Sequence, residues 1–190
     1  MNSPAVPSGH TREQAPGATI WLTGLPSAGK STLAAALARL LSGAGHRAEV
    51  LDGDEMRAYL TADLGFSRED RETNVSRIGY VAERLAAHGV TVLVPVIAPY
   101  ADSREAVRRR HEAAGTPYAE VHVATPLEVC STRDVKGLYA KQAAGRMSGL
   151  TGVDDPYEPP VSPDFRVGTE PSVGDTAAEL YLRLVERGLV

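Results

Sequence analysis

The residues best suited to chemistry stand early in the chain. Residues 24–31 read Gly24-Leu25-Pro26-Ser27-Ala28-Gly29-Lys30-Ser31, directly after the apolar run Ala18-Thr-Ile-Trp-Leu-Thr23. Two glycines at this spacing, then a lysine and a hydroxyl, are what a strand–turn–helix needs to wrap a polyphosphate. Gly24 and Gly29 allow a tight backbone path that turns successive N–H groups inward as an anion nest. A helix opening near Lys30 adds the partial positive charge of its N-terminus. Lys30 can then reach terminal phosphates, and the Ser31 hydroxyl can ligate Mg²⁺. The spacing therefore predicts a nucleoside triphosphate site.

A second group follows at the end of the next predicted strand, Leu51-Asp52-Gly53-Asp54. A carboxylate there can order Mg²⁺ or its waters, or accept a proton from an attacking hydroxyl. The third predicted strand ends in Pro95-Val-Ile97-Ala98 and offers no acid. Asp52 takes the role by elimination and by position, and which of the two roles it plays stays open. Asp54 is expected to cap the short helix that follows. Arg57, Arg71, Asn74 and Arg77 come next, the last three at i, i+3 and i+6 of a predicted helix. Guanidinium forks suit tetrahedral oxyanions, so this group could hold an anionic acceptor. Surface ion pairs with Glu69, Asp70 and Glu72 are the alternative that spacing alone favours.

The elements that must position these residues alternate. A strand at 18–23 leads to a helix with Leu33, Leu37, Leu40 and Leu41 at helical spacing amid alanines, stopped by Gly43 and Gly45. Strand two is expected at 48–51, a short helix through Tyr59, and a longer one from Ser67, where Asp70 completes a capping signal. Its apolar stripe is Ile78, Val81, Leu85 and Ala86. Residues 90–94 read as a central strand apolar on both faces. A charged helix at 102–114, a strand at 119–123 and a helix opened by Pro126 follow. Residues 134–163 hold glycines, prolines and lysines without a sustained period and are expected to form a long excursion. A weak strand at 165–167 and a closing helix at 176–187 complete the set. The fold class is α/β, a parallel five-stranded sheet with helices on both faces and its ligand site at the strands' C-terminal ends.

Composition limits the alternatives. At 190 residues the chain suits one domain, and 43% hydrophobic with 23% charged residues is globular. A net charge of −4 favours neither nucleic acid nor a membrane surface as partner. The longest apolar run, 90–98, is about half a membrane span. One cysteine, Cys130, excludes an internal disulfide and suits a reducing cytoplasm. The first 17 residues carry Pro4, Pro7 and Pro16 and little that is apolar, and read as a disordered lead-in to a domain over 18–190.

Several longer strings then carry a resemblance. Asp52-Gly-Asp54, Asp63-Leu-Gly-Phe66-Ser, Asp70-Arg-x-x-Asn74, Lys136-Gly-Leu138-Tyr139 and the stretch from Leu150 through Pro156-Tyr-Glu-Pro-Pro160 resemble the adenylylsulfate kinases, in the same order and across nearly the whole domain. The resemblance implies a three-layer fold of the P-loop nucleoside triphosphate hydrolase type with a lid over about 134–163. It implies an ATP- and Mg²⁺-dependent transfer of the γ-phosphate to the 3′-hydroxyl of adenosine 5′-phosphosulfate. ATP would be bound by Gly24, Leu25, Pro26, Ser27, Ala28, Gly29, Lys30, Ser31 and Thr32. Arg133 would stack on its adenine, unless it pairs with Asp134. Ser31 and Asp52 would serve the metal, and Lys30 and Asp52 the chemistry. On the acceptor side the resemblance implies Asp54, Arg57, Phe66, Arg71, Asn74, Ile97, Ala98, Lys136, Leu138 and Leu150, with Phe66 stacking on the acceptor adenine and Lys136 closing over both nucleotides.

The chain departs from the family pattern at four places. Pro26 stands where serine is usual, Leu150 where an aromatic is usual, Ala98 where many members carry serine, and Ala101 where arginine is common. Leu150 would leave the acceptor adenine stacked on one face only. A kinase of another small nucleotide or sugar acid, or a module that binds nucleotide without turnover, stays open as an alternative, and so does a homodimer.

Overall fold

The computed structural model describes residues 16–168 and 172–190. Five strands alternate with helices: β1 (Thr19–Thr23), β2 (Ala48–Val50), β3 (Thr91–Pro95), β4 (Tyr118–Val123) and β5 (Phe165–Val167). The helices are α1 (Lys30–Gly43), α2 (Gly53–Tyr59), α3 (Arg68–Ala86), α4 (Ala101–Ala114), α5 (Leu127–Arg133), α6 (Leu138–Ala143) and α7 (Val173–Glu186). All strand pairs are parallel, in the order β2-β3-β1-β4-β5.

The core divides on the pleat of β1. Ile20 and Leu22 point to one face, into a cluster with Leu33, Leu37 and Leu41 of α1 and Leu180 and Leu184 of α7. Trp21 points to the other, against Val75, Ile78, Ala82 and Ala86 of α3 and Val107 of α4. Period two in the strand and 3.6 in the helices thus give three layers. Leu40, expected in the buried stripe of α1, is 39% exposed instead. In α3 the buried line runs through Val75 and Ala82, with Val81 and Leu85 packed at its edge.

Element boundaries shift by a few residues from expectation, except at α6. No helix was expected inside 134–163, because six residues carry too little period to recognise. Asp134 explains it: its carboxylate accepts the N–H groups of Tyr139 (3.1 Å) and Ala140 (2.9 Å), satisfying donors that a helix start leaves open. Gly17 is tied to α3, its N–H donating to Ala86 O at 2.8 Å. The lead-in expected before it lies, through residue 15, outside the described residues. Among the described residues no helix is long and apolar enough to cross a membrane.

Candidate active site

The turn between β1 and α1 is shaped by contact as much as by conformation. A side chain at Gly24 would stand 2.6 Å from Val123 O of β4, so only glycine lets the loop leave the sheet here. Gly29 has φ 99 and Ser27 φ 59, a left-handed pair that curls the loop before the helix begins. Thr125 donates to Ala28 O at 2.7 Å and Tyr139 to Pro26 O at 3.1 Å, pinning the loop from β4's exit and from α6. Leu25 packs against the α1-side core, and Thr32 lies exposed in the first turn of α1.

Lys30 is 8% exposed and folds back on the loop, donating to Gly24 O (2.9 Å) and Leu25 O (2.8 Å). Burial lowers its pKa to about 7, with Lys136 pushing the same way and Asp52 against.

Asp52 sits at the end of the β2 exit, and the structure corrects one expectation here. Asp52, not Asp54, is the N-cap of α2: its Oδ1 accepts the Asp54 N–H at 2.9 Å. Its Oδ2 accepts the Ser31 hydroxyl at 2.6 Å, so one carboxylate ties α2 to the phosphate loop. Asp54, freed from capping, pairs across the site with Lys136. Arg133 ends α5 with Nη1 3.9 Å from where a Cβ on Gly29 would stand, poised over the loop. It makes no ion pair with Asp134, whose carboxylate is committed to α6.

The acceptor-side residues gather at the far end of α2. Arg57, in its last turn, donates to Gly65 O at 2.7 Å and lies 4.6 Å from the centre of the Phe66 ring. Phe66 is 70% exposed, an aromatic face presented to solvent. Arg71 lies 5.7 Å from the same ring but is 8% exposed and heavily engaged. It donates to Phe66 O (3.0 Å), Thr151 Oγ1 (3.0 Å) and Gly149 O (2.9 Å), so it also holds the excursion in place. Asn74 is buried one turn along α3, with Oδ1 accepting from Thr61 at 2.7 Å. Arg77 forms a fork with Asp63 (2.7 and 2.9 Å), an ion pair away from the acidic neighbours expected for it.

Two other expected positions are covered. Leu150 is 4% exposed in the α1-side core, and Leu138 packs against the same cluster. The turn around Leu150 is closed by Asp154, which accepts Gly149 N–H and Leu150 N–H at 2.9 and 2.6 Å. Ile97 and Ala98 lie just beyond the end of β3. Ile97 O accepts Thr23 Oγ1 (2.6 Å), and Ala98, at φ 43 and 3% exposed, gives its carbonyl to Arg104 (2.7 Å).

Nothing in the sequence singled out Thr61, Thr125 or the buried pair Arg104–Glu120 (2.7 Å), and Thr23 and Thr151 stood inside noticed strings without a role. A lone threonine in a loop carries no spacing signal. Tyr139 and Tyr157 lay inside noticed strings, but their contacts, Tyr139 on Pro26 O and Tyr157 on Thr23 Oγ1 (3.1 Å), depend on tertiary placement.

The arrangement is a phosphate-binding loop joined by a seven-residue helix, α2, to an arginine-flanked aromatic platform. Such a site can hold a nucleoside triphosphate at one end and an anionic aromatic molecule at the other. Comparison with known proteins agrees. The adenylyl-sulfate kinase of Myxococcus xanthus is 54% identical over 154 residues, 81% of this chain and 83% of that one. The probable adenylyl-sulfate kinase of Synechocystis is 49% identical over 171 residues, 90% and 94% of the two chains. The APS kinase of Mycobacterium tuberculosis, solved in complex with AMPPNP and APS, superposes with a TM-score of 0.87 at 46% identity, covering 90% of this chain and 98% of that one. Residues 16–168 match the adenylylsulphate kinase family as a whole, and the chain belongs to that family.

Proposed function

We propose that this protein transfers the γ-phosphate of ATP to the 3′-hydroxyl of adenosine 5′-phosphosulfate, releasing ADP and 3′-phosphoadenosine 5′-phosphosulfate. The observation that carries the reading is the Ser31–Asp52 contact of 2.6 Å, which brings the carboxylate that starts α2 onto the phosphate loop. Family membership supplies the identity of the acceptor.

In this reading the loop amides and Lys30 receive the triphosphate, Lys30 exchanging the carbonyls of Gly24 and Leu25 for phosphate oxygens. Ser31 and Asp52 offer a hydroxyl and a carboxylate side by side, hard oxygen donors of the number Mg²⁺ takes from a protein when phosphates and water fill the rest. When bound there, Mg²⁺ would neutralise charge on the phosphates being cleaved. Asp52 would also accept the 3′-hydroxyl proton as the new P–O bond forms and the bond to ADP breaks. Phe66 gives the acceptor adenine a stacking face, and Arg57 and Asn74 take its phosphosulfate. Arg71 shapes that pocket from below while holding the 149–151 turn. The 134–163 excursion, with Lys136 reaching Asp54, closes over the site and keeps water from the γ-phosphate. The reducing cytoplasm suits the buried free Cys130.

The test is ADP release with ATP and a panel of acceptors. Adenosine 5′-phosphosulfate should support turnover, whereas AMP, gluconate and no acceptor should not. Equal ADP release without acceptor would sink the proposal.

A further inference from the structure

Thr61 lies in the loop that follows α2, fully buried, and belongs to none of the strings that carry the family resemblance. Its hydroxyl oxygen is 2.7 Å from Asn74 Oδ1 and 3.3 Å from Met56 O. A hydroxyl has one proton to give, so the two contacts compete. Met56 O already accepts the N–H groups of Leu60 (2.8 Å) and Thr61 (3.0 Å), which occupy its two lone pairs. A separation of 2.7 Å is also that of an O–H···O bond, shorter than an amide N–H donor prefers. The proton therefore goes to Asn74 Oδ1.

This fixes which way the Asn74 amide faces. Its oxygen is turned into the protein toward Thr61, and its NH₂ group is turned away. Asn74 Nδ2 has no hydrogen-bond partner among the described residues. It is also absent from their buried side-chain polar atoms that lack a hydrogen bond, which are Trp21 Nε1, Tyr118 OH, His122 Nδ1 and Asp155 Oδ2, the last of these 3.5 Å from Arg71 in an ion pair. It is a free donor with access to solvent. Asn74 follows Arg71 by one turn on the same face of α3, and Arg71 lies 5.7 Å from the centre of the Phe66 ring. Reversed, the amide would present its oxygen to an arriving anion and repel it.

We propose that Thr61 is a positioning residue for the acceptor: it locks the Asn74 amide with its NH₂ group outward and so biases the site toward an anionic group. The proposal rests on the kinase reading above, in which Asn74 meets the acceptor's phosphosulfate. Thr61 itself touches no substrate and acts through Asn74.

The test is a double-mutant cycle in the full-length protein, with ATP and adenosine 5′-phosphosulfate as substrates. Thr61→Val keeps the shape and removes the proton. It should raise KM for adenosine 5′-phosphosulfate roughly 5–10-fold while KM for ATP and kcat stay within about twofold. Thr61→Ser should restore the wild-type KM. In an Asn74→Ala background Thr61→Val should add nothing further. An unchanged acceptor KM in folded Thr61→Val would overturn the proposal. So would a Thr61→Ser variant no better than valine, or a valine effect fully additive to Asn74→Ala. A purely structural role would lower Tm and move both KM values together. Should Thr61→Val not be folded at the assay temperature, Thr61→Ala takes its place in the same cycle. Wild-type protein that makes no product would refute the kinase reading, whereas wild-type turnover with an unshifted Thr61→Val counts against Thr61 alone.

Discussion

The Ser31 hydroxyl donates to Asp52 Oδ2 across 2.6 Å, while the other oxygen of the same carboxylate accepts the Asp54 N–H at 2.9 Å. One side chain therefore starts α2 and faces the phosphate loop, so the helix that carries Arg57 is registered against the loop that carries Lys30. The two functions of Asp52 separate by substitution, because asparagine caps a helix as well as aspartate does.

Asp52→Asn should keep the fold and lower kcat roughly 10²-fold or more, with ATP affinity changed much less, since only the charge is lost. Asp52→Ala should add a stability loss of about 1 kcal/mol from the missing cap. Steady-state kinetics and thermal melts measure the two effects. Near-normal turnover in Asp52→Asn would remove the carboxylate from the chemistry.

Lys30 should make nucleotide binding proton-linked. Its folded pKa of about 7 lies below the unfolded value of 10.5, so between them the unfolded chain holds more protons. Its contribution to stability is accordingly full above the unfolded value and is lost as pH falls toward 7. A triphosphate beside the amine favours the ammonium, so ATP binding near pH 8.5 should take up close to one proton per site, roughly. Calorimetry in buffers of different ionisation enthalpy measures it. Lys30→Arg, charged throughout, should show no uptake, and wild-type binding without uptake would contradict the assignment.

Phe66 and Leu150 should respond in opposite ways to aromatic chemistry. Phe66→Ala removes an exposed face and should weaken acceptor binding by about 1–3 kcal/mol. Leu150 was expected to leave a gap that an aromatic would fill, but its side chain is 4% exposed within the core. Leu150→Phe should therefore overpack that core, costing about 1–3 kcal/mol of stability without lowering the acceptor KM. Tighter acceptor binding with an unchanged Tm would show that this side chain reaches the adenine.

Lys136 and Asp54 form an exposed ion pair, with side chains 54% and 71% accessible. Pairs so open to solvent add little stability. Lys136→Met should thus leave Tm nearly unchanged while raising ATP hydrolysis relative to transfer, because closure over the site is impaired. A quantitative comparison of phosphate release with product formation measures the ratio. A large drop in Tm with the ratio intact would assign Lys136 to the fold alone.

What could be read from the sequence followed from signals that are local. Gly24, Gly29, Lys30 and Ser31 are adjacent, and the strand and helix around them have clear periods, so the phosphate loop and the layer order were legible. Asp52 was found by its place at a strand end. Its capping role was not, because either carboxylate of Asp52-Gly-Asp54 satisfies the same pattern and only the backbone decides. The burial of Leu150 and the contacts of Arg71 with Thr151 and Gly149 depend on how an aperiodic segment folds back across 78–80 positions of chain. Thr61 was invisible for the same reason: its partner is in the next helix, and its significance is the direction of one proton.

The most direct measurement identifies the product made from ATP and adenosine 5′-phosphosulfate by phosphorus NMR and mass spectrometry. One ADP should form for each molecule of acceptor consumed, with the new phosphate ester at the 3′ position and the phosphosulfate intact. Phosphate at any other position, or ADP formed without a phosphorylated acceptor, would contradict the proposed transfer.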